Sequence, residues 1–308
     1  KCDWSSDVCS SDLGTKDVQV GQLMMPGQTL VNIVDSKEMW VEANYKESQL
    51  SNIKVGAKVE VKADAVPGET FTGTVERMSD ATGSAFSLLP MDNEEFTREY
   101  FKLLCQRFVP LGYDSKALVD GVWAGTYAMV KNDGSCTNEK AFWNKFAEKM
   151  GIGVLKHKPL FDAFYLEEFN EAKKVCGFSE NTVCTVKALK SSGYRIALAT
   201  NPIFPAAATE SRIRWAGFEP SDFELYTTYE NIGYCKPNTE YYKEILRRLN
   251  VSAEECLMVG NDVGEDMVAE TVGINVFLLT DNLINKDKKD ISVFHRGGFD
   301  DLTIYLTK

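Results

Sequence analysis

Hydrophobic positions change their period twice along the chain. Between residues 57 and 64 apolar and polar side chains alternate strictly, Ala57-Lys58-Val59-Glu60-Val61-Lys62-Ala63-Asp64. Phe71, Gly73 and Val75 alternate with Thr72, Thr74 and Glu76 in the same way. A period of two predicts half-buried strands, and Val66-Pro67-Gly68-Glu69 supplies turn chemistry between them. Thr29–Asp35 and Met39–Tyr45 read as further strands and Lys46–Ile53 as a short helical insert, so residues 16–90 are expected to be a small all-β barrel or sandwich. From residue 91 the spacing is helical. Phe96, Tyr100, Phe101, Leu104 and Phe108 share one face, and the pattern continues through Phe142–Met150 and Leu160–Ala172. After about residue 180 strands (Arg195–Ala199, Leu225–Tyr229, Cys256–Val259, Asn275–Leu279) alternate with helices (Val183–Ser191, Ala206–Ala216, Thr239–Leu249, Glu265–Val272). That alternation predicts an α/β class fold, a Rossmann-like doubly wound parallel sheet, with ligands beyond the carboxyl ends of its strands.

A length of 308 residues allows two domains, and 44% hydrophobic with 26% charged residues excludes a disordered or collagen-like chain. The net charge of −11 repels phosphate backbones, so no nucleic-acid partner is expected. Runs such as Val276–Leu279 are far shorter than the roughly 18–20 apolar residues that span a bilayer, so no membrane insertion is expected, and the polar N-terminus shows no signal-peptide pattern. Eight cysteines without a Cys-x-x-Cys pair read as reduced thiols of a cytoplasmic protein. With His157 and His295 as the two histidines, a Cys/His zinc site and a His-based triad are both disfavoured. Residues 1–15 have neither period and repeat Ser-Ser-Asp at 5–7 and 10–12; they resemble sequencing-adapter read-through and are expected to be a non-native tail.

The predicted strand ends carry the candidate chemistry. Thr200-Asn201-Pro202 follows the first α/β strand, where a hydroxyl and backbone N–H groups can hold a phosphoryl oxygen; alone, Thr200 reads better as a helix cap. Lys236, in Tyr234-Cys235-Lys236-Pro237, can neutralise charge developing in phosphoryl transfer, although a loop lysine is usually solvated. Met258-Val259-Gly260-Asn261-Asp262-Val263-Gly264-Glu265-Asp266 follows a hydrophobic strand. Asp262 and Asp266, four apart, face one side of a starting helix, and hard carboxylate and amide oxygens suit Mg²⁺; Asp262 alone reads equally as a helix cap.

Two resemblances follow. Val20-Gly21-Gln22, Pro26-Gly27-Gln28, the run Trp40 to Leu50 and the run Ala81 to Pro90 resemble HlyD-type membrane fusion proteins, the periplasmic adaptors of multidrug efflux and secretion systems. That resemblance covers about 75 residues, the second half of a lipoyl-like layer and the following β-barrel. It implies a docking role on an efflux transporter if the fragment functions, with no catalytic residue. The family's membrane helix, first lipoyl half and α-hairpin are not represented in these residues.

Thr200, Lys236 and the Asp262/Asp266 pair, in this order and spacing, resemble motifs II, III and IV of the haloacid dehalogenase-like (HAD-like) hydrolases. The resemblance covers about residues 91–308. It implies a Mg²⁺-dependent phosphatase acting on a small phosphorylated substrate. Thr200, Asn201 and Lys236 would bind substrate, and Asp262, Asp266 and Asn261 would stand at the metal. It further implies a helical cap at 91–180 on a core at 181–308. The family's motif I, Asp-x-Asp-Gly-Thr, supplies a nucleophile and a general acid. No Asp-x-Asp occurs in this chain; Gly83 and Ala85 stand at those positions, and neither side chain can attack or donate a proton. The sequence therefore reads as two unrelated pieces joined near Leu88-Leu89-Pro90, a chimera whose hydrolase part is inactive as written. Aspartates restored at 83 and 85 are expected to rescue turnover if residues 84–89 form the first strand.

Overall fold

The computed structural model describes residues 11–16, 31–35, 58–61, 71–74 and 86–307, and the chain divides into two compact units, Lys1–Met78 and Ser79–Lys308. In the first unit β1 (Ser11–Lys16) pairs antiparallel with β2 (Val31–Asp35), Leu13 opposite Ile33. Ser11–Thr15 thus form strand inside the segment read as an aperiodic tail. β3 (Lys58–Val61) pairs antiparallel with β4 (Phe71–Thr74), and Lys58, Glu60 and Thr72 are exposed, the polar half of the alternating pattern. Met39–Tyr45, Lys46–Ile53, Gly83 and Ala85 lie outside the described residues.

The second unit opens with helices: α1 (Asn93–Phe108), α2 (Ser115–Val130), α3 (Asn138–Met150) and α4 (Lys158–Leu166), then a 3-10 segment, Glu168–Val175. Three of the four are started by side-chain caps that satisfy an otherwise orphaned first-turn N–H: Asp92 accepts from Glu95 N, Asp114 from Ala117 N, Thr137 from Lys140 N. Their core is aromatic. Phe96, Phe108, Phe146, Phe164 and Phe169 are fully buried, and Phe108 stacks on Phe161 with centroids 4.0 Å apart. Helix α2 was not anticipated, because Gly121 and Gly125 interrupt its helical signal. They are there for packing: a Cβ at Gly125 would sit 2.5 Å from the Phe142 ring, so glycine lets α2 lie flat on α3.

The α/β layer follows: α5 (Glu180–Ser191), β5 (Ala197–Leu198), α6 (Ala206–Trp215), β6 (Leu225–Tyr226), α7 (Thr239–Leu249), β7 (Leu257–Gly260), a 3-10 segment Met267–Val272, β8 (Asn275–Leu279), β9 (His295–Gly297) and α8 (Phe299–Thr307). All described strand pairs here are parallel, which makes this the doubly wound, Rossmann-like α/β class with the helices α1–α4 beside it. Both faces of the sheet are covered. Val276 and Leu278 pack with Tyr241, Ile245 and Met267, whereas Phe277 and Leu279 pack with Leu189, Phe299 and Leu302.

Among the described residues the sheet falls into two ribbons. β5 pairs with β6, and β7–β8–β9 form a second ribbon; among the described residues no backbone hydrogen bond joins β5 to β7. The two ribbons nevertheless share their covering layers. Ala199, Leu225 and Met258 pack on the first cluster, and Ile196, Leu257 and Val259 on the second. Burial records the consequence: β8, paired on both sides, buries Val276 to Leu279, while Ala197, Leu198, Leu257, Met258 and Val259 on the facing edges are half-buried. Residues 86–89, part of the stretch 84–89 on which rescue by aspartates was made conditional, form a turn closed by Leu89 N–H to Phe86 O at 2.8 Å.

Candidate functional site

The loops that leave β5 and β7 and the loop that enters α7 converge. Thr200, Asn201, Lys236, Asn261, Asp262 and Asp266 are all buried, an unusual density of polar side chains that demands internal partners. Lys236 Nζ donates to Asp266 Oδ1 at 2.6 Å, and Asp262 N–H donates to Asp266 Oδ2 at 3.0 Å. Glycine is required at 260, where a Cβ would fall 2.1 Å from Asp266 Oδ2. The peptide between Lys236 and Pro237 is cis.

Asp262 takes up its anticipated capping role. Its Oδ1 accepts from the N–H groups of Gly264 and Glu265 at 2.8 and 2.9 Å, a cap on the turn that leads to Asp266. Burial raises its pKa above the ordinary carboxylate range, and Asp266 adds to the rise. The segment Glu265–Val272, expected as an α-helix, is a 3-10 turn from Met267 onward, yet Asp262 and Asp266 still meet across one turn.

Glu265, not singled out from the sequence, completes the cluster. Asn201 Nδ2 donates to both its carboxylate oxygens at 3.1 Å, and burial, followed by the charge of Asp262, pushes its pKa up to about 8. Asn201 Oδ1 is buried with no hydrogen-bond partner among the described residues, an acceptor facing no donor. Ser87 is a second addition: its Oγ donates to Asn261 Oδ1 at 2.8 Å, while Asn261 Nδ2 donates to Asn282 O. Neighbouring tyrosines of α7 brace the two ribbons, Tyr241 donating to Thr200 O and Tyr242 to Glu265 O. Asn138, fully buried at the start of α3, donates to Pro202 O and Tyr234 O, tying the helical region to two of the site loops. Only Glu265 carried a signal in the sequence, an acid between two others; Tyr241, Tyr242 and Asn138 look like ordinary helix residues. His157 and His295 are both exposed and take no part.

The donors suit Mg²⁺ in kind, hard oxygens from Asp262, Asp266 and Asn261, and three acids face one lysine, a surplus of negative charge that a divalent cation would balance. They fall short in number. Among the described residues no group of three or more His, Cys, Asp or Glu side chains converges as a metal shell, and one Asp266 oxygen is held by Lys236. A cavity of about 50 Å³ lies beside the loop after β5, walled by Phe96, Tyr100, Trp123, Phe142 and Phe204.

Residues 137–269 match the family model of haloacid dehalogenase-like hydrolases, and residues 38–82 match that of the CusB-like β-barrel domain. The colistin resistance protein EmrA of Acinetobacter baumannii is 35% identical over 116 residues, 38% of this chain and 32% of its own length. A glyceraldehyde 3-phosphate phosphatase of Methanothermobacter thermautotrophicus is 32% identical over 112 residues, 36% of this chain and 48% of its own length. The chain thus spans about a third to a half of these curated relatives. A HAD phosphatase structure from Thermococcus onnurineus aligns with 69% of this chain and 91% of its own at 16% identity and a TM-score of 0.45. Among the described residues no helix is long and apolar enough to cross a membrane.

Proposed function

We propose that the second unit is the cap and most of the core of a haloacid dehalogenase-like phosphohydrolase, deprived of the strand that carries its nucleophile. The observation that carries this reading is the convergence of Thr200, Asn201, Lys236, Asp262 and Asp266 at adjoining loops, in the part of the chain matched by that family's model.

In the reaction this site is built around, an aspartate carboxylate attacks phosphorus and the bond from phosphorus to the leaving oxygen breaks. A second aspartate protonates that oxygen. Water then attacks the aspartyl-phosphate, releasing inorganic phosphate and regenerating the carboxylate. Thr200 and Asn201 are proposed to hold the phosphoryl oxygens, and Lys236 to neutralise charge on them while its contact with Asp266 fixes its position. Asp262, with Asp266 and Asn261, would hold Mg²⁺, which supplies charge neutralisation at the phosphoryl group when bound. The helices α1–α4 would exclude water from a small phosphorylated metabolite. Both aspartates of the chemistry are missing, since glycine and alanine stand at positions 83 and 85. The chain as written is therefore inactive. Its hydrolase part belongs to the cytoplasm, and the joint to a piece of periplasmic type marks a chimera. The test is hydrolysis of an aryl phosphate with Mg²⁺. No rate above background is expected, and robust turnover by the unmodified chain would sink the reading.

A second reading concerns the first unit alone. Its antiparallel β3–β4 pair lies within the stretch matched by the CusB-like barrel model, and its named relatives are efflux components. It is proposed as an adaptor fragment whose partner would be an efflux transporter. Co-purification with a membrane transporter would support a working adaptor, and its absence would leave the fragment without a role.

A further inference from the structure

The helical region holds a cavity that the chemistry at the strand ends does not account for. Helices α1 to α4 supply most of its wall, and Ile203 and Phe204, on the loop that leaves β5, supply the rest. Aromatic rings dominate that wall, and none of the described side chains that line it is charged. Its polar groups are few and mostly spent. Thr97 Oγ1 donates to Asn93 O at 2.7 Å and Thr126 Oγ1 to Val122 O at 2.9 Å, each within its own helix. The hydroxyls of Tyr100 and Tyr165 share one hydrogen bond at 2.8 Å, so one of their two protons is left to offer.

Such a wall holds water poorly, since a buried water needs about two to four polar partners. Displacing poorly held water by an apolar group favours binding. The volume of about 50 Å³ is several times the roughly 10–15 Å³ that one water needs, and about a third of the roughly 150 Å³ that holds benzene. It suits a chain of about three or four carbons. The cavity is also tied to the site. Ile203 N–H donates to Asn201 O at 2.9 Å, a turn that sets one wall beside Asn201. Asn138 of α3 donates to Pro202 O in the same turn, which fastens the helical wall to the loop wall.

We propose that this cavity binds a short, uncharged alkyl group bearing at most one hydrogen-bonding oxygen. Further hydroxyls would be buried against rings with one donor among them, and a carboxylate would meet no cation in the wall. The cavity and its ligand class stand on the helical region alone. That the group is the leaving alcohol rests on the function proposed above. The substrate class is then a phosphate monoester of a small aliphatic alcohol, in place of a sugar phosphate or a phosphorylated carboxylic acid.

The test uses the full chain and saturation-transfer NMR with n-butanol and glycerol as probes. Butanol should saturate in the millimolar range expected of so small a ligand, with glycerol weaker by about tenfold or more. Val122→Phe, which fills the cavity from α2, should abolish butanol binding while circular dichroism reports an intact fold. Should Val122→Phe not fold, Thr97→Leu, at a half-buried position of α1, should weaken butanol by about tenfold. Absence of saturable binding, equal binding of the two probes, or butanol binding that survives in a folded, cavity-filled variant would overturn the proposal. n-Butylphosphonate with Mg²⁺ separates the two ideas, and it should bind tighter than butanol by about tenfold or more. Butanol held in the cavity with the phosphonate no tighter keeps the cavity and sinks the phosphohydrolase reading.

Discussion

The helical region and the sheet of the second unit are specified in opposite ways by the sequence. α1 to α4 are built from consecutive segments, each helix started by its own cap or turn and packed on its neighbours through a dense aromatic core. The sheet is assembled from strands far apart in sequence, and among the described residues β5–β6 and β7–β8–β9 form separate ribbons. The helical region is therefore specified by near neighbours and the sheet by distant ones. Local packing survives a broken context; a ladder of non-local strands does not.

The comparison is tested most severely by restoring the middle of the sheet in cis. Replacing residues 78–82 with a Val/Ile/Leu run and placing aspartates at 83 and 85 should raise Mg²⁺-dependent aryl phosphatase activity from background by many orders of magnitude. Gly83→Asp with Ala85→Asp alone should restore nothing measurable, because residues 86–89 are a turn and Ser79–Ala85 include no Val, Ile, Leu, Met or aromatic residue with which to build a core strand. Equal rates from the two variants would show that the sheet is not the missing part.

Core truncations read the same contrast in stability. Phe108→Ala, in the aromatic core of the helical region, should cost about 3–5 kcal/mol in chemical denaturation. Leu278→Ala, in the strand paired on both sides, should cost about 2–5 kcal/mol, and Leu257→Ala, on the open edge, below about 2 kcal/mol. If Leu257→Ala matched Leu278→Ala, the open edge would be as well packed as the closed one. In the site, Lys236→Met leaves Asp266 buried without its cation and should destabilise the metal-free protein by about 3–5 kcal/mol.

The helical region also carries an alkaline signature. Burial raises the Tyr100 hydroxyl to about 12, with Tyr165 as its hydrogen-bond partner at 2.8 Å. A neutral phenol favoured in the fold contributes stability that is complete below pH 10, the unfolded value, and is lost as the pH rises from 10 towards 12. That loss amounts to about 3 kcal/mol. Tyr100→Phe should flatten this share of the pH dependence in denaturation midpoints above pH 10. The smallest effect belongs to the surface: Glu244, clasped by Arg247 and Arg248 on α7, should lose below about 1 kcal/mol as Glu244→Gln.

What could be read in advance follows the same division between local and distant causes. β8 and α7 were legible because a run of aliphatic residues and a single amphipathic face each specify their element by themselves. β5 was expected to run from Arg195 to Ala199 and pairs only over Ala197–Leu198, where its described neighbour β6 lies alongside, since a strand extends only as far as its neighbours do. α2 was hidden by two glycines whose purpose lies on another helix, and β9 by its polar sequence, His295-Arg296-Gly297. At the site, the spacing of Asp262 and Asp266 showed that they would meet. That Asp266 would grip Lys236, that Glu265 would turn to Asn201, and that Ser87 would reach Asn261 are tertiary facts with no local trace.

The paired tyrosines of α7 set a tolerance for the whole site. Tyr241 and Tyr242 are joined by one peptide bond, and each holds a carbonyl from a different half of the sheet. Because a planar, helical peptide link cannot stretch, the opening between the halves is gauged by a rigid spacer only one residue long. The separation of Thr200 O and Glu265 O is therefore a property of the helix.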